Sequence, residues 1–207
     1  MATRAYDTIK RRIITLEYRP GQYLNEAQVC KDLGIGRTPV HQAFHRLLND
    51  GLVEIIPRKG MIIRPNSLNE VLALLEARWV IEPYCASLAA TRTSSQDVSA
   101  LRLIMAAAEK AAKRGDTETF MSLDVSFHSA LAKMARNSIL GEVLRNLHDL
   151  ATRIWYLHVW QKADMQLTYR EHLAIFESIK GGDKDGAARA MQDHLTSLRR
   201  RVLEGSQ

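Results

Sequence analysis

The sequence predicts a mainly α-helical chain in two parts: three helices and a hairpin over residues 1–66, then an antiparallel bundle of six helices over residues 67–207. Three observations predict this. Apolar residues recur at helical spacing along most of the 207-residue chain. Strand-like runs are confined to "LVEIIPRKGMIIRP", residues 52–65. Basic charge is concentrated at the start: residues 1–68 hold 11 Lys/Arg against 6 Asp/Glu, whereas the remainder, 18 against 17, is near neutral. A basic module joined to a neutral body points to an anionic partner for the first part.

In the first part, residues 3–16 read as a helix with Tyr6, Ile9, Ile13 and Leu16 on one face. "YRPGQYL" breaks it. Asn25 then caps a second helix, with Gln28 at the capping-box position, and that helix ends at Gly34. After the turn Gly34-Ile35-Gly36, Thr38 is the expected N-cap of a third helix and Pro39 its first residue. This helix runs to about Asp50 on the apolar stripe Val40, Phe44, Leu47 and Leu48, and Gly51 ends it. Two short strands follow around Pro-Arg-Lys-Gly. Three helices, a tight turn between the second and third, and a hairpin make a winged helix-turn-helix. In that arrangement the third helix enters the DNA major groove by its N-terminal end. Arg37, Thr38 and His41 lie at that end. An arginine reads guanine by paired hydrogen bonds, and a threonine meets phosphate or a thymine methyl. Arg58 and Lys59, at the hairpin tip, are placed to reach the neighbouring backbone or minor groove. His45 and Arg46, a turn further along, have weaker claims. The competing reading is a solvated basic helix in a small tri-helical domain.

From residue 67 the pattern is helical throughout. Ser67 to Glu70 reads as a capping box opening a helix to about Ala90, with Pro83 as a kink. Ser94 or Ser95 starts a helix ending near Gly115, and Asp116 caps one to about Ala135. Asn137 and Ser138 mark the turn before a helix to about Trp160. A fifth spans 165–180, and Asp183 caps a sixth to about 203. Short connections between such helices imply antiparallel neighbours. No apolar run approaches the roughly 18 residues of a membrane span, and "MATRAYDTIKRRII" lacks the apolar stretch of a secretory signal. Cys30 and Cys85 sit in apolar contexts with no disulfide or metal spacing. They read as buried, reduced thiols, and the chain as cytoplasmic.

The bundle pattern also carries polar residues on faces that should be buried. Asp124 and His128, four apart, fall within or beside the arc of Phe120, Phe127, Leu131 and Met134. His172 shares a face with Phe176 and Ile179, and His194 shares one with Met191 and Leu198. An isolated buried carboxylate is costly, whereas carboxylate and imidazoles around a divalent cation are the kind of site that facing helices build in a bundle core. Taken singly, a histidine on an apolar face is more often a satisfied core residue. His148 and His158, on the fourth bundle helix, have weaker claims as ligands.

The chain resembles the GntR family of bacterial transcription regulators, and its FCD branch in particular. "RPGQYLNEAQVCKDLGIGRTPVHQAFHRLLNDGLVEIIPRKGMIIR" (19–64) carries the N-terminal signature. "EARWVIEPYCASLAA" (76–90), "DVSFHSALAKMARN" (124–137), "EHLAIFESIKGGD" (171–183) and "AMQDHL" (190–195) carry the C-terminal one. Six C-terminal helices resemble the shorter, VanR-like form. The resemblance implies a homodimer that binds double-stranded operator DNA, usually as a repressor. It implies a small carboxylic-acid effector in the bundle, beside a divalent metal on Asp124, His128, His172 and His194. Zinc or nickel suits three imidazoles and one carboxylate. Arg78 is the implied clamp for the effector carboxylate, with an ion pair to Glu82 as its alternative role. The chain departs from the family at Gly36, where Ser or Thr is usual, at His41, where Arg is usual, and at Gln42, where Glu is usual. His41 changes the operator expected and weakens binding above the imidazole pKa, near 6.5. The rival reading is a metal-dependent hydrolase using the same Asp/His cluster. It lacks a general base near the ligands and leaves the basic third of the chain idle.

Overall fold

The computed structural model describes residues 1–56, 60–65, 67–154 and 164–205. The chain forms two compact units, Met1–Ser67 and a second that begins at Leu68.

In the first unit, α1 (Ala2–Ile14), α2 (Glu26–Leu33) and α3 (Arg37–Asn49) stand beside a three-stranded antiparallel sheet of β1 (Tyr23–Leu24), β2 (Val53–Ile56) and β3 (Gly60–Ile63), in the order β1-β3-β2. The hairpin forms as expected, with Val53 opposite Ile63 and Ile56 opposite Gly60. β1 was not expected, because two residues are too few to show an alternating pattern. Leu24, read as a helix start, instead pairs with Met61 across β3. α1 buries Ala5, Tyr6, Ile9 and Ile13 against the buried face of α3, Val40, Ala43, Phe44 and Leu47. The helix stops at Ile14, so Leu16 lies beyond it with a left-handed φ of 59°, and Leu48 is half-buried while Ala43 takes the inner position. The Tyr6 hydroxyl donates to Asp50, the C-cap of α3, and Lys10 Nζ donates to that hydroxyl at 2.9 Å.

The caps follow the side-chain chemistry. Asn25 Oδ1 accepts from the Gln28 backbone at 3.1 Å, but the Gln28 amide turns forward to Asp32 Oδ1 at 2.7 Å, so the expected box is half closed. Gly34 ends α2 with φ 61°, a left-handed conformation that glycine adopts without strain. The start of α3 corrects the expectation for Thr38. Gly36 is the N-cap, and the helix begins at Arg37. The first bond of the ladder is made by the Val40 amide to Gly36 O at 3.4 Å. Pro39 therefore occupies the last position whose N–H has no helical partner, where proline costs nothing.

The second unit is the bundle: α4 (Leu68–Arg92), α5 (Ser95–Arg114), α6 (Thr117–Met134), α7 (Ser138–Ile154), α8 (Met165–Lys180) and α9 (Lys184–Gly205). The α7 residues expected up to Trp160, and His158 with them, lie outside the described residues. Ser94 and Asp97 close a full capping box on α5, while Asp116, Asp164 and Asp183 accept from the amides of Thr119, Leu167 and Gly186. α4 runs without interruption through Pro83 and packs on α9, α6 and α8. Small residues let the helices approach closely. Cys85, Ala132, Ala135 and Leu144 join α4, α6 and α7, and Ala108, Ala111, Ala112 and Phe120 join α5 to α6. Cys85 is buried as expected, but Cys30 is only half-buried. No helix among the described residues is long and apolar enough to cross a membrane.

Phe44 is 1% exposed at the centre of the α1–α3 interface. Phe44→Ala is expected to destabilise the N-terminal unit by about 3–5 kcal/mol, the cost of lost burial plus the cavity left behind. Urea unfolding followed by a probe in that unit checks it.

Candidate functional site

The start of α3 is an exposed, charged surface. Arg37 has 87% of its side chain exposed, and its Nε lies 3.5 Å from Glu26 Oε1 on α2. Thr38 is exposed beside it. His41 Nδ1 lies 3.4 Å from Glu26 Oε2, and His41 Nε2 lies 3.1 Å from His45 Nε2. Arg46 turns away from this group and stacks on the Tyr6 ring, its guanidinium carbon 3.7 Å from the ring centre. The amides of Arg37 and Thr38 are free of helical partners and accompany the positive end of the helix dipole, so the tip attracts anions. Arg58 and Lys59 lie outside the described residues.

In the bundle, the four expected polar residues converge. His128, His172 and His194 are 4%, 2% and 2% exposed. One nitrogen of each lies within 4.8 Å of the others. Asp124, half-buried, has Oδ1 3.6 Å from His172 Nε2. The Phe127 ring stacks on His172 with centroids 4.2 Å apart. Two ring nitrogens, His128 Nδ1 and His172 Nε2, are buried with no hydrogen-bond partner. His128 Nδ1 does lie 2.9 Å from Glu82 Oε2, an ion-pair distance that eases the cost of its burial. Three buried imidazoles this close together, with His172 Nε2 making no hydrogen bond, are costly as they stand and suit a cation between them.

A second set of polar residues adjoins the first. Glu82, on α4 and 2% exposed, is paired with Arg78 one turn earlier, and its oxygens also face His128 at 2.9 Å and His148 Nε2 at 3.0 Å. Arg78 is thus a buried ion-pair partner, the alternative role the spacing allowed. On the far side, His194 Nδ1 meets Glu171 Oε2 at 2.9 Å, and Arg201 holds the same carboxylate at 3.2 Å and Thr168 Oγ1 at 2.8 Å. His194 is therefore oriented through Nδ1, which leaves Nε2 as its ligand nitrogen. Burial opposes charge on Glu82, yet Arg78, His148 and His128 outweigh it and hold its carboxyl well below the usual value. Burial pushes His128 down despite Glu82, and it pushes His172 down further, helped by the neighbouring imidazoles. The Cys85 thiol, buried near Glu82, is pushed up to about 12 and is unreactive.

Comparison with known proteins follows the same division of the chain. Residues 73–197 match the FCD domain and residues 1–63 match the bacterial regulatory proteins of the gntR family. The chain belongs to the FCD-bearing GntR family of transcription regulators. It is 27% identical to the HTH-type transcriptional repressor RspR of Escherichia coli K12, over 96% of this chain and 87% of that protein. It is also 27% identical to the galactonate operon transcriptional repressor of the same organism, over 95% and 94%. The fold agrees with that of E. coli McbR/YncC, with a TM-score of 0.88 at 17% identity over 100% and 98% of the two chains. A GntR regulator from Rhodococcus sp. RHA1 gives 0.81 at 21% identity over 100% and 99%. As a GntR-family member the chain is a DNA-binding transcription regulator and not an enzyme, which removes the hydrolase reading.

Three residues around this regulator's histidine cluster were missed or underweighted. His148 was legible, since Leu144, His148 and Ala151 share one face of α7 at helical spacing. Glu82 was seen as a partner for Arg78, but its contacts to α6 and α7 require the packed bundle. Glu171 neighbours His172 in sequence yet serves His194, and nothing before the pairing of α8 with α9 indicates that.

The lowered values set the pH response of the metal-free protein. Folded His128 and His172 refuse protons that the unfolded chain accepts below pH 6.5, so stability falls as pH drops through that value. Glu82 adds a loss as pH falls below its ordinary 4.5 toward its lower folded value. In chelator, the unfolding free energy from urea titration should fall between about pH 7 and pH 5, by on the order of 1 kcal/mol per pH unit for each imidazole, and the midpoint with it. A midpoint that stays level across that range contradicts the neutral buried histidines.

Proposed function

We propose that this regulator is a homodimeric cytoplasmic repressor whose operator affinity is set by a small carboxylic acid bound in the bundle beside a divalent metal. The observation that carries the proposal is the convergence of the buried His128, His172 and His194, one nitrogen of each within 4.8 Å of the others, beside the carboxylate of Asp124. With Asp124 as the fourth ligand, three imidazoles and a carboxylate suit zinc or nickel. When bound, such an ion offers an electrophilic seat for an effector carboxylate. Arg78 contributes by exchange: an arriving carboxylate takes the guanidinium over from Glu82, which keeps its contacts to His128 and His148. A groove of about 960 Å³ between α6 and α7, where Lys133, Arg136, Arg145 and His148 outnumber Glu142 and Asp149, supports entry of an anion.

Homodimerisation is supported by exposed apolar side chains on two bundle helices. Val80 and Tyr84 on α4 are 65% and 58% exposed, and Ile139 and Val143 on α7 are 70% and 40% exposed. Repression is supported by the chain's similarity to two transcriptional repressors, RspR and the galactonate operon repressor. In the proposed mechanism two winged helices address half-sites that repeat about every 34–36 Å along one side of DNA. The effector favours a population in which their spacing no longer fits. Arg37, Thr38 and His41 read the bases and adjoining phosphates, and Arg58 and Lys59 contact the flanking backbone.

Arg37→Ala should abolish operator retardation in a gel assay while circular dichroism stays unchanged; undiminished retardation would remove α3 from the DNA. Elemental analysis of untagged protein purified without added metal should give close to one zinc or nickel per chain. Less than about a tenth of an equivalent would defeat the ligand assignment, because a site of this kind is near-stoichiometric.

A further inference from the structure

His41 and His45 are both exposed, one turn apart on the face of α3 that follows Arg37 and Thr38. Their rings stand edge to face with centroids 4.6 Å apart, and their Nε2 atoms are 3.1 Å apart. Metal–nitrogen bonds of about 2.0–2.1 Å to two such atoms enclose an angle of about 100°, within the range of tetrahedral and octahedral ions. Glu26 Oε2, 3.4 Å from His41 Nδ1, favours the tautomer that carries its proton there. That leaves the His41 Nε2 lone pair to accept the His45 Nε2–H, a bond that a metal replaces once the His45 proton has moved to its Nδ1; His41 then has the carboxylate–histidine arrangement that orients metal ligands.

We propose that His41 and His45 form a second metal site, separate from the bundle, which chelates zinc, nickel or copper on the DNA-reading helix. Water completes the coordination. The occupied site weakens operator recognition: His41 then has Nδ1 committed to Glu26 and Nε2 to the ion, so neither nitrogen can meet a base edge. The ion's positive charge still attracts phosphate, so the loss falls on specificity rather than on general affinity for DNA. This consequence rests on the reading of α3 as the DNA-reading helix; the metal site itself does not.

The test uses the full-length protein and zinc chloride. Long-range proton–nitrogen NMR of the histidine rings should show His41 Nε2 and His45 Nε2 shifting together on titration, and the response should vanish in His45→Gln. Unshifted rings at about tenfold excess zinc overturn the site. Competition binding should show the ratio of operator to non-specific affinity falling about tenfold with zinc in the wild type, the worth of one lost base contact. His45→Gln should bind operator normally without zinc and lose none of that ratio when zinc is added. Shifted rings with an unchanged ratio overturn the regulatory consequence if Arg37→Ala still abolishes operator binding. If Arg37→Ala binds normally, the fault lies in the assignment of α3, and the metal site stands on the NMR result.

Discussion

A carboxylate inside a helical core cannot stand alone, and Glu82 is the constraint around which the interior of the bundle is organised. Its charge is 2% exposed, and removing such a group from water costs several kcal/mol unless partners meet it. Arg78 meets it from the same helix, His128 from α6 and His148 from α7. One charge thereby fixes the mutual placement of three helices in a region otherwise held by alanine, leucine and cysteine side chains. His128 also faces His172 and His194, so the same charge reaches α8 and α9. Because His128 and His172 resist protonation, they stand as neutral imidazoles, the form that ligates a metal. The interior is built so that its most polar point is also its most ligand-ready one.

The N-terminal unit spends its charge in the opposite way. Arg37 and His41 are exposed and share one half-buried carboxylate, Glu26. Exposed pairs of this kind contribute little to stability, so they yield readily to a polyanion. In the proposed reading DNA phosphate competes with Glu26 for Arg37 at small cost, whereas Glu82 can release Arg78 only while His128 and His148 still meet its charge. The weak pair suits a surface that must bind and release. The strong cluster suits a centre that must hold one of two defined arrangements.

The difference also explains what the sequence made legible. Caps and periodicity are local, and they placed most helices to within two or three residues: Asn25, Ser94, Asp116 and Asp183 each act through an amide within three positions of themselves. Thr38 failed as a cap because two readings of Pro39 fit the same tripeptide, and only the first ladder bond, at Val40, separates them. β1 failed because its partner strand lies 37 residues away and two residues carry no period. In the site, the histidines were visible as polar residues on apolar faces. Their carboxylate partners were not, since Glu82 and Glu171 act across helices whose pairing no short-range pattern records.

The buried cluster bears on regulation through its sharing of groups. Glu82 serves Arg78, His128 and His148 at once, so in the proposed mechanism an effector carboxylate that takes Arg78 shifts the balance of charge on α6 and α7 together. In that mechanism His128 belongs to both polar sets, so metal and effector do not bind independently. Any factor by which the metal raises effector affinity must equal the factor by which the effector raises metal affinity. The same reciprocity extends to DNA: an effector that releases the operator is itself held less tightly by the operator-bound dimer. In the proposed mechanism the cluster is therefore a coupling element as well as a binding site, and its coupling resides in Glu82 rather than in the metal ligands.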